Sequence, residues 1–240
     1  MDVNKPFLFK QFAVAQEKVT MKVGTDGVLL GSWVSVENKK SGLDIGTGTG
    51  LIALILAQRL QQDAQIDAVD IDPGAIEQAH GNFQSSPWST RLFVQEDSIQ
   101  EYANKVPRKY DIIVSNPPFF TGGMLSEFNN KNDVRHTIKL PHGDLLRAVS
   151  RLLKPEGHLG LILPYLQGLR FIEISESYGL FPKRITAVRS RAANSIERLL
   201  LELGYDRNSH PTSDELVIHA EGNEYTEEYK ALTRPFYLNF

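Results

Sequence analysis

Cysteine is absent from the 240 residues, which excludes thiol nucleophiles, disulfides and cysteine-held metal. No apolar stretch is long enough to span a bilayer, and Met1 to Lys10 lacks the apolar core of a signal peptide. A cytoplasmic protein is therefore expected. The six histidines are scattered without metal-ligand spacing, so no metal is expected. A strong basic balance is missing too: the net charge is −3, and any contact with nucleic acid has to rest on local patches. There is no Gly-Lys-Ser/Thr phosphate loop, and the glycine-rich turn carries Leu51 where a dinucleotide fingerprint requires glycine.

What is present begins with Asn116-Pro117-Pro118-Phe119, at the end of the apolar run Tyr110 to Ser115. A planar amino group is a poor nucleophile because its lone pair is delocalised. Two fixed acceptors, the Asn116 side-chain oxygen and the Pro117 carbonyl, can orient its N–H bonds and leave the lone pair facing an electrophile. Consecutive prolines restrict the backbone, so that carbonyl has a set direction. Phe119 offers a flat apolar face to a flat substrate. Read in isolation, the same residues are equally a strand-ending turn.

A second motif shifts that balance. Leu43-Asp-Ile-Gly-Thr-Gly-Thr-Gly50 precedes the apolar run Leu51 to Ala57 and reads as strand, tight turn, buried helix. Gly46, Gly48 and Gly50 let the backbone approach a ligand near a helix N-terminus. Asp44 is an acceptor suited to a cationic ligand. Asp70 ends the next strand, Ile66 to Asp72, where a carboxylate typically meets ribose hydroxyls. Asp72 competes for that role, but is better placed to cap the helix beginning at Pro73. Asp97, ending the strand Arg91 to Asp97, can accept a hydrogen bond from an adenine amino group. Each acid alone reads as a solvated strand end. Together they occupy the carboxyl ends of successive strands, where open α/β sheets bind ligands.

Residues 43–119 resemble the class I S-adenosylmethionine-dependent methyltransferases: Asp44 to Gly50 matches the first motif, Asp70 the ribose acid, Asp97 the adenine-side acid, and Asn116 to Phe119 the amino-methyltransferase signature. Phe9 to Gln16, Met21 to Trp33, Ser86-Pro87-Trp88 and the closing Tyr229 to Phe240 extend the resemblance over almost the whole chain, to the bacterial tRNA1(Val) (adenine-37-N6)-methyltransferases. Phe119-Phe120 departs from an expected tyrosine, losing a hydroxyl but keeping a stacking face. The resemblance implies S-adenosylmethionine as cofactor and a tRNA adenine N6 amine as acceptor. It further implies a segment, residues 1–35, lying over the cofactor, with Thr25 and Asp26 as contacts. The signature itself is shared with enzymes acting on release-factor glutamine and rRNA guanine, and a catalytically silent cofactor-binding RNA-interaction subunit is the reading from a different class.

Strands and helices alternate to the end of the chain, which gives a doubly wound α/β sheet; a mostly parallel, seven-stranded one is what the resemblance implies. A single domain over 1–240 and a monomer are expected. Pro73 to Phe83 and Leu166 to Tyr178 read as helices, and Asp144 to Leu153 as a helix capped by Asp144 and stopped near Pro155 and Gly157. His158 to Leu163 is a buried strand, Arg184 to Arg189 and Arg198 to Tyr205 pair as the last strands, and Asp214 to His219 is a candidate edge. Two stretches are placed to meet RNA. One is Phe120 to Gly143, long enough for a substrate lid and carrying Lys131, Arg135, His136 and Lys139. The other is the basic run with Lys183, Arg184, Arg189, Arg191 and Arg198, which reads more readily as a solvated face. Arg135, Lys139, Arg189 and Arg191 are taken as phosphate contacts, and Trp33 and Trp88 as packing residues.

Overall fold

The computed structural model describes residues 5–118, 140–208, 210–222 and 224–239. Phe119, Arg135 and Lys139, all expected at the substrate, and most of the expected lid lie outside these.

Five buried residues, Ser41–Ile45, form a strand inside the sheet. A short ribbon of β1 (Phe7–Leu8) and β2 (Ala13–Val14) and the helix α1 (Thr25–Trp33) precede this strand, which is β3. After it come α2 (Leu51–Arg59), β4 (Gln65–Asp70), α3 (Pro73–Gln84), β5 (Leu92–Glu96), α4 (Ile99–Lys105) and β6 (Tyr110–Ser115). The described chain resumes with α5 (His142–Leu152), β7 (Leu153–Pro164), α6 (Tyr165–Ser175), β8 (Phe181–Arg191), β9 (Arg198–Gly204), β10 (Thr212–His219) and α7 (Glu227–Thr233). The sheet order is β10-β8-β9-β7-β6-β3-β4-β5. Only β9 runs against its neighbours, so the other strands point their carboxyl ends to one edge. Among the described residues the sheet has eight strands in place of the expected seven, because the candidate edge pairs in parallel with β8, Thr212 opposite Arg184.

The inner strands β3, β6 and β9 are buried along almost their whole length because both faces of the sheet are covered there. Ile112, Val114, Ile162 and Leu200 meet α1, α2 and Phe83 of α3 on one side. Leu43, Ile113, Leu161 and Leu201 meet α5 and Phe171 of α6 on the other. Trp33 packs in the first core, donates to Thr186 Oγ1 at 2.8 Å, and carries the Arg184 guanidinium 4.4 Å above its ring. Trp88 is half-buried, edge-on to Phe12, as a packing residue should be.

Two local expectations shift. Helix α5 begins at His142 behind Pro141, and Asp144 lies inside its first turn, paired with Arg147 at 3.0 Å. A carboxylate there still complements the helix dipole, but it is not the cap. Pro155 and Gly157, expected to stop that helix, fall within the start of β7, where its register with β6 is irregular and a proline is tolerated.

Candidate active site

The carboxyl edge opens into a cavity of about 380 Å³ between β3, β4 and β6, where the strand order reverses. Its wall holds Gly46, Gly48, Asp70, Asp97, Asn116, Pro117 and Pro118. The first turn is stitched to the neighbouring strand: Gly46 and Thr47 both donate to Val69 O, at 2.9 and 3.2 Å. Gly46, Gly48 and Gly50 all have positive φ, which only glycine adopts without strain. At Gly46 and Gly48 a side chain would meet nothing within 4 Å, so this part of the wall faces open space.

Asp70 closes the turn. Its Oδ2 accepts the Gly48 N–H at 2.9 Å and its Oδ1 the Asp72 N–H at 3.1 Å, leaving lone pairs on a half-buried carboxylate at the cavity. Asp72 caps α3 by accepting from Gly74 N at 2.9 Å, with Pro73 in the first turn, as its sequence position implies. Asp97 is buried, and its Oδ2 takes Lys105 Nζ at 2.9 Å. Burial works against its ionisation, but the Lys105 hydrogen bond and other donors outweigh this and hold the carboxyl below the usual range.

Asp44 behaves differently from the cationic-ligand acceptor expected of it. It stands behind the cavity wall, wholly buried, and its Oδ2 accepts from Thr47 Oγ1 at 2.7 Å and Ala53 N at 3.2 Å. Its Oδ1 has no partner among the described residues. Burial pushes the carboxyl up to about 7 against the lowering effect of both hydrogen bonds. Its visible work is to tie the glycine turn to the first turn of α2. Gly50 likewise stands behind the wall, beginning α2 against the Phe83 ring.

Asn116 follows directly on β6, whose end is pinned to β3 by Ser115 Oγ donating to Ile45 O at 2.8 Å. Its Oδ1 is buried and accepts no hydrogen bond among the described residues. A buried amide oxygen left without a donor is a group that a ligand N–H would satisfy.

Thr25 and Asp26 are not at this cavity. Thr25 lines a separate groove beside Tyr225, and Asp26 pairs with Arg198 at 3.0 Å. The preceding segment takes their place, with Val19, Thr20 and Met21 in the wall. Arg189 and Arg191 lie at the carboxyl end of β8, away from the cavity wall. Arg189 Nε meets Glu215 at 3.0 Å, and Arg191 donates to the carbonyls of Ala220 and Gly222. Both serve the β8–β10 edge. Asp72, beside Asp70, also lines the wall, as do Ser98, Ile99, Gln100, Leu140 and Pro141. No run of glycines or acids flags the latter; Ser98 to Gln100 follow a strand end, and Leu140 and Pro141 lead into α5.

Residues 20–170 match the methyltransferase small domain family. Over 238 residues the chain is 45% identical to the tRNA1(Val) (adenine(37)-N6)-methyltransferase of Aeromonas salmonicida, with 99% of each protein covered. Over 239 residues it is 43% identical to the protein of that name in Christiangramia forsetii, with 98% of each covered. The chain belongs to this methyltransferase family. Among solved structures, a predicted O-methyltransferase from Agrobacterium tumefaciens matches with a TM-score of 0.68 at 19% identity, covering 88% of this chain and 96% of that one. A putative RNA methyltransferase from Pyrococcus horikoshii matches at 0.52 and 17%, covering 77% and 81%. At such identities the likeness is of fold, and the fold is that of the class I methyltransferases. In this member of the tRNA1(Val) methyltransferase family, the glycine turn, Asp70 and the Asn-Pro-Pro segment described above meet at one cavity.

Proposed function

We propose that this chain transfers a methyl group from S-adenosylmethionine to the exocyclic N6 amine of a tRNA adenine, adenine 37 of tRNA1(Val). The observation that carries the reading is Asn116 Oδ1, buried in the cavity wall with no donor among the described residues. The cavity falls within the usual range of about 300–1,000 Å³ for small-molecule sites, and its features suit an adenosyl compound. Asp70 has lone pairs for ribose hydroxyls, Asp97 and the Ser98–Gln100 turn offer an adenine edge, and the open space at Gly46 and Gly48 admits a ligand against the backbone.

When bound, S-adenosylmethionine supplies a methyl group on a positively charged sulfur, an electrophile that needs no further activation. The residues then have to orient the acceptor. Asn116 takes one N–H of the amine, the Pro117 carbonyl takes the other, and the nitrogen lone pair is turned into the cavity. No strong base is required, since an amine nitrogen gaining a fourth bond becomes acidic. Phe119 is assigned to stack on the base, which leaves its own helix or loop stack to enter the pocket. Arg135 and Lys139 remain the proposed contacts to flanking phosphates.

Methylation assays with unmodified tRNA, ribosomal RNA and a release factor, each across a salt series, test the assignment. N6-methyladenine in tRNA, formed less readily as salt rises, is expected. Methylated glutamine in the release factor with tRNA untouched overturns it.

A further inference from the structure

Residues 15–21 cross α3 as a strap whose far end enters the cavity. Three positions four residues apart seat it on one helix face: Gly74, Gln78 and Asn82. At Gly74 the strap lies so close that an added Cβ would come within 2.7 Å of Lys18 O. Gln78, buried, accepts Lys18 N at Oε1 at 3.0 Å, and Lys18 Nζ pairs with Glu77. Asn82, only 3% exposed, accepts Ala15 N at Oδ1 at 2.9 Å and returns an Nδ2 hydrogen to Ala15 O at 2.9 Å. The same Nδ2 donates to Thr49 O, in the glycine turn, at 2.8 Å. Beyond Lys18 the chain supplies Val19, Thr20 and Met21 to the cavity wall, and Gln16 Oε1 closes the loop by accepting Val23 N at 2.9 Å.

We propose that Asn82 and Gln78 are positioning residues for the cofactor, an inference that rests on the S-adenosylmethionine reading above. Asn82 uses one amide to fix two walls of the cavity at a set spacing: the glycine turn through Thr49 and the strap through Ala15. Gln78 holds the strap alone, at the point where it turns into the cavity. Buried amides on a helix face are costly unless fully bonded. Here the bonds they make reach outward to the two segments that enclose a ligand, and none is made within α3. Neither side chain touches the ligand space, so their effect falls on how tightly the cofactor is held and not on the chemistry of the amine.

The test compares the full-length protein with its Gln78→Ala and Asn82→Ala variants. Calorimetry measures S-adenosylmethionine binding, steady-state kinetics gives kcat and the cofactor KM on tRNA, and limited trypsin digestion follows cleavage after Lys18 and Lys22. Loss of one backbone-directed hydrogen bond predicts a rise of about five- to tenfold in Kd and KM for Gln78→Ala, with a larger rise for Asn82→Ala. At saturating cofactor, kcat stays within about threefold of wild type, because the amine-orienting groups are unmoved. Cofactor protects Lys18 and Lys22 from trypsin in wild type and fails to do so in the variants. If Asn82→Ala does not fold, Gln78→Ala decides the matter. Wild type that binds no S-adenosylmethionine overturns the functional reading. Wild type that binds, beside folded variants with unchanged Kd and KM, overturns this inference alone, even if their straps are cleaved faster.

Discussion

Asp70 Oδ2 accepts the N–H of Gly48 at 2.9 Å, so the acid ending one strand holds closed the glycine turn that follows its neighbour. The acid expected to meet a ribose thus also shapes the backbone beside it, and removing it acts twice.

Asp70→Ala should therefore weaken S-adenosylmethionine binding by more than one lost ribose contact. A hydrogen bond to a charged group is worth about 1.5–3 kcal/mol, or roughly ten- to a hundredfold in Kd. Calorimetry with S-adenosylmethionine, its demethylated product and NAD is the measurement. The first two are expected to bind wild type and NAD is not.

For Asn116→Ala the expected result is a kcat reduced at least about a hundredfold, as when one preorganised polar group is removed from an active site. Cofactor Kd should change little, because Asn116 acts on the acceptor amine. Near-normal turnover on tRNA would remove the proposed role of the Asn-Pro-Pro segment.

The buried carboxyl of Asp44 sets a pH dependence. Its folded-state pKa of about 7 lies above the ordinary 3.8, so the fold prefers the protonated form. That contribution to stability is complete below the ordinary value and is lost as pH rises towards about 7. Denaturant titrations of wild type and Asp44→Asn at about pH 5 and about pH 8 should show the variant gaining on wild type by more than about 1 kcal/mol at the higher pH. Parallel curves would show that Asp44 is ionised throughout.

Two glycines of one turn should fail in different ways. At Gly50 an added Cβ would fall 2.5 Å from Cε1 of Phe83, and φ is 81°. Gly50→Ala is expected to cost about 2–4 kcal/mol of stability from overpacking and left-handed strain together. At Gly46 φ is 72° and nothing stands within 4 Å. Gly46→Ala should carry the strain alone, about 1–2 kcal/mol, and its larger effect should be on cofactor affinity, since the methyl group is added at the cavity wall. Thermal unfolding set beside cofactor titration separates the two.

Much of this was legible in residue order because the informative signals are local. Apolar runs ending in an acid or asparagine mark strand ends, and strand ends line the edge where ligands bind, which located Asp70, Asp97 and Asn116 together. Asp72 before Pro73 announced its own cap. The strap was not legible. Val19, Thr20 and Met21 follow Ala15 and Lys18, whose hydrogen bonds to Asn82 and Gln78 reach about sixty residues away in sequence, and a buried amide on a helix looks like any polar surface position until its partner is known. Thr25 and Asp26 carried the resemblance but sit past the turn at Val23 that brings the chain away from the cavity. Arg189 and Arg191 stand away from the cavity for a related reason: a cation near an edge strand finds carboxylates and carbonyls there, Glu215 in β10 and Ala220 and Gly222 just after it.

The placement of β3 has a consequence for how the molecule comes into being on the ribosome. Its partners on the two sides are β4, which follows within about twenty residues, and β6, which arrives only after Tyr110. Until then one flank of a wholly buried strand exposes unpaired amides and carbonyls, a ready template for pairing with another chain. The glycine turn and Asp70 can be assembled during that interval, whereas Asn116 cannot. A chain that ends before Tyr110 lacks the Asn116 side of the cavity and leaves that seam of β3 open.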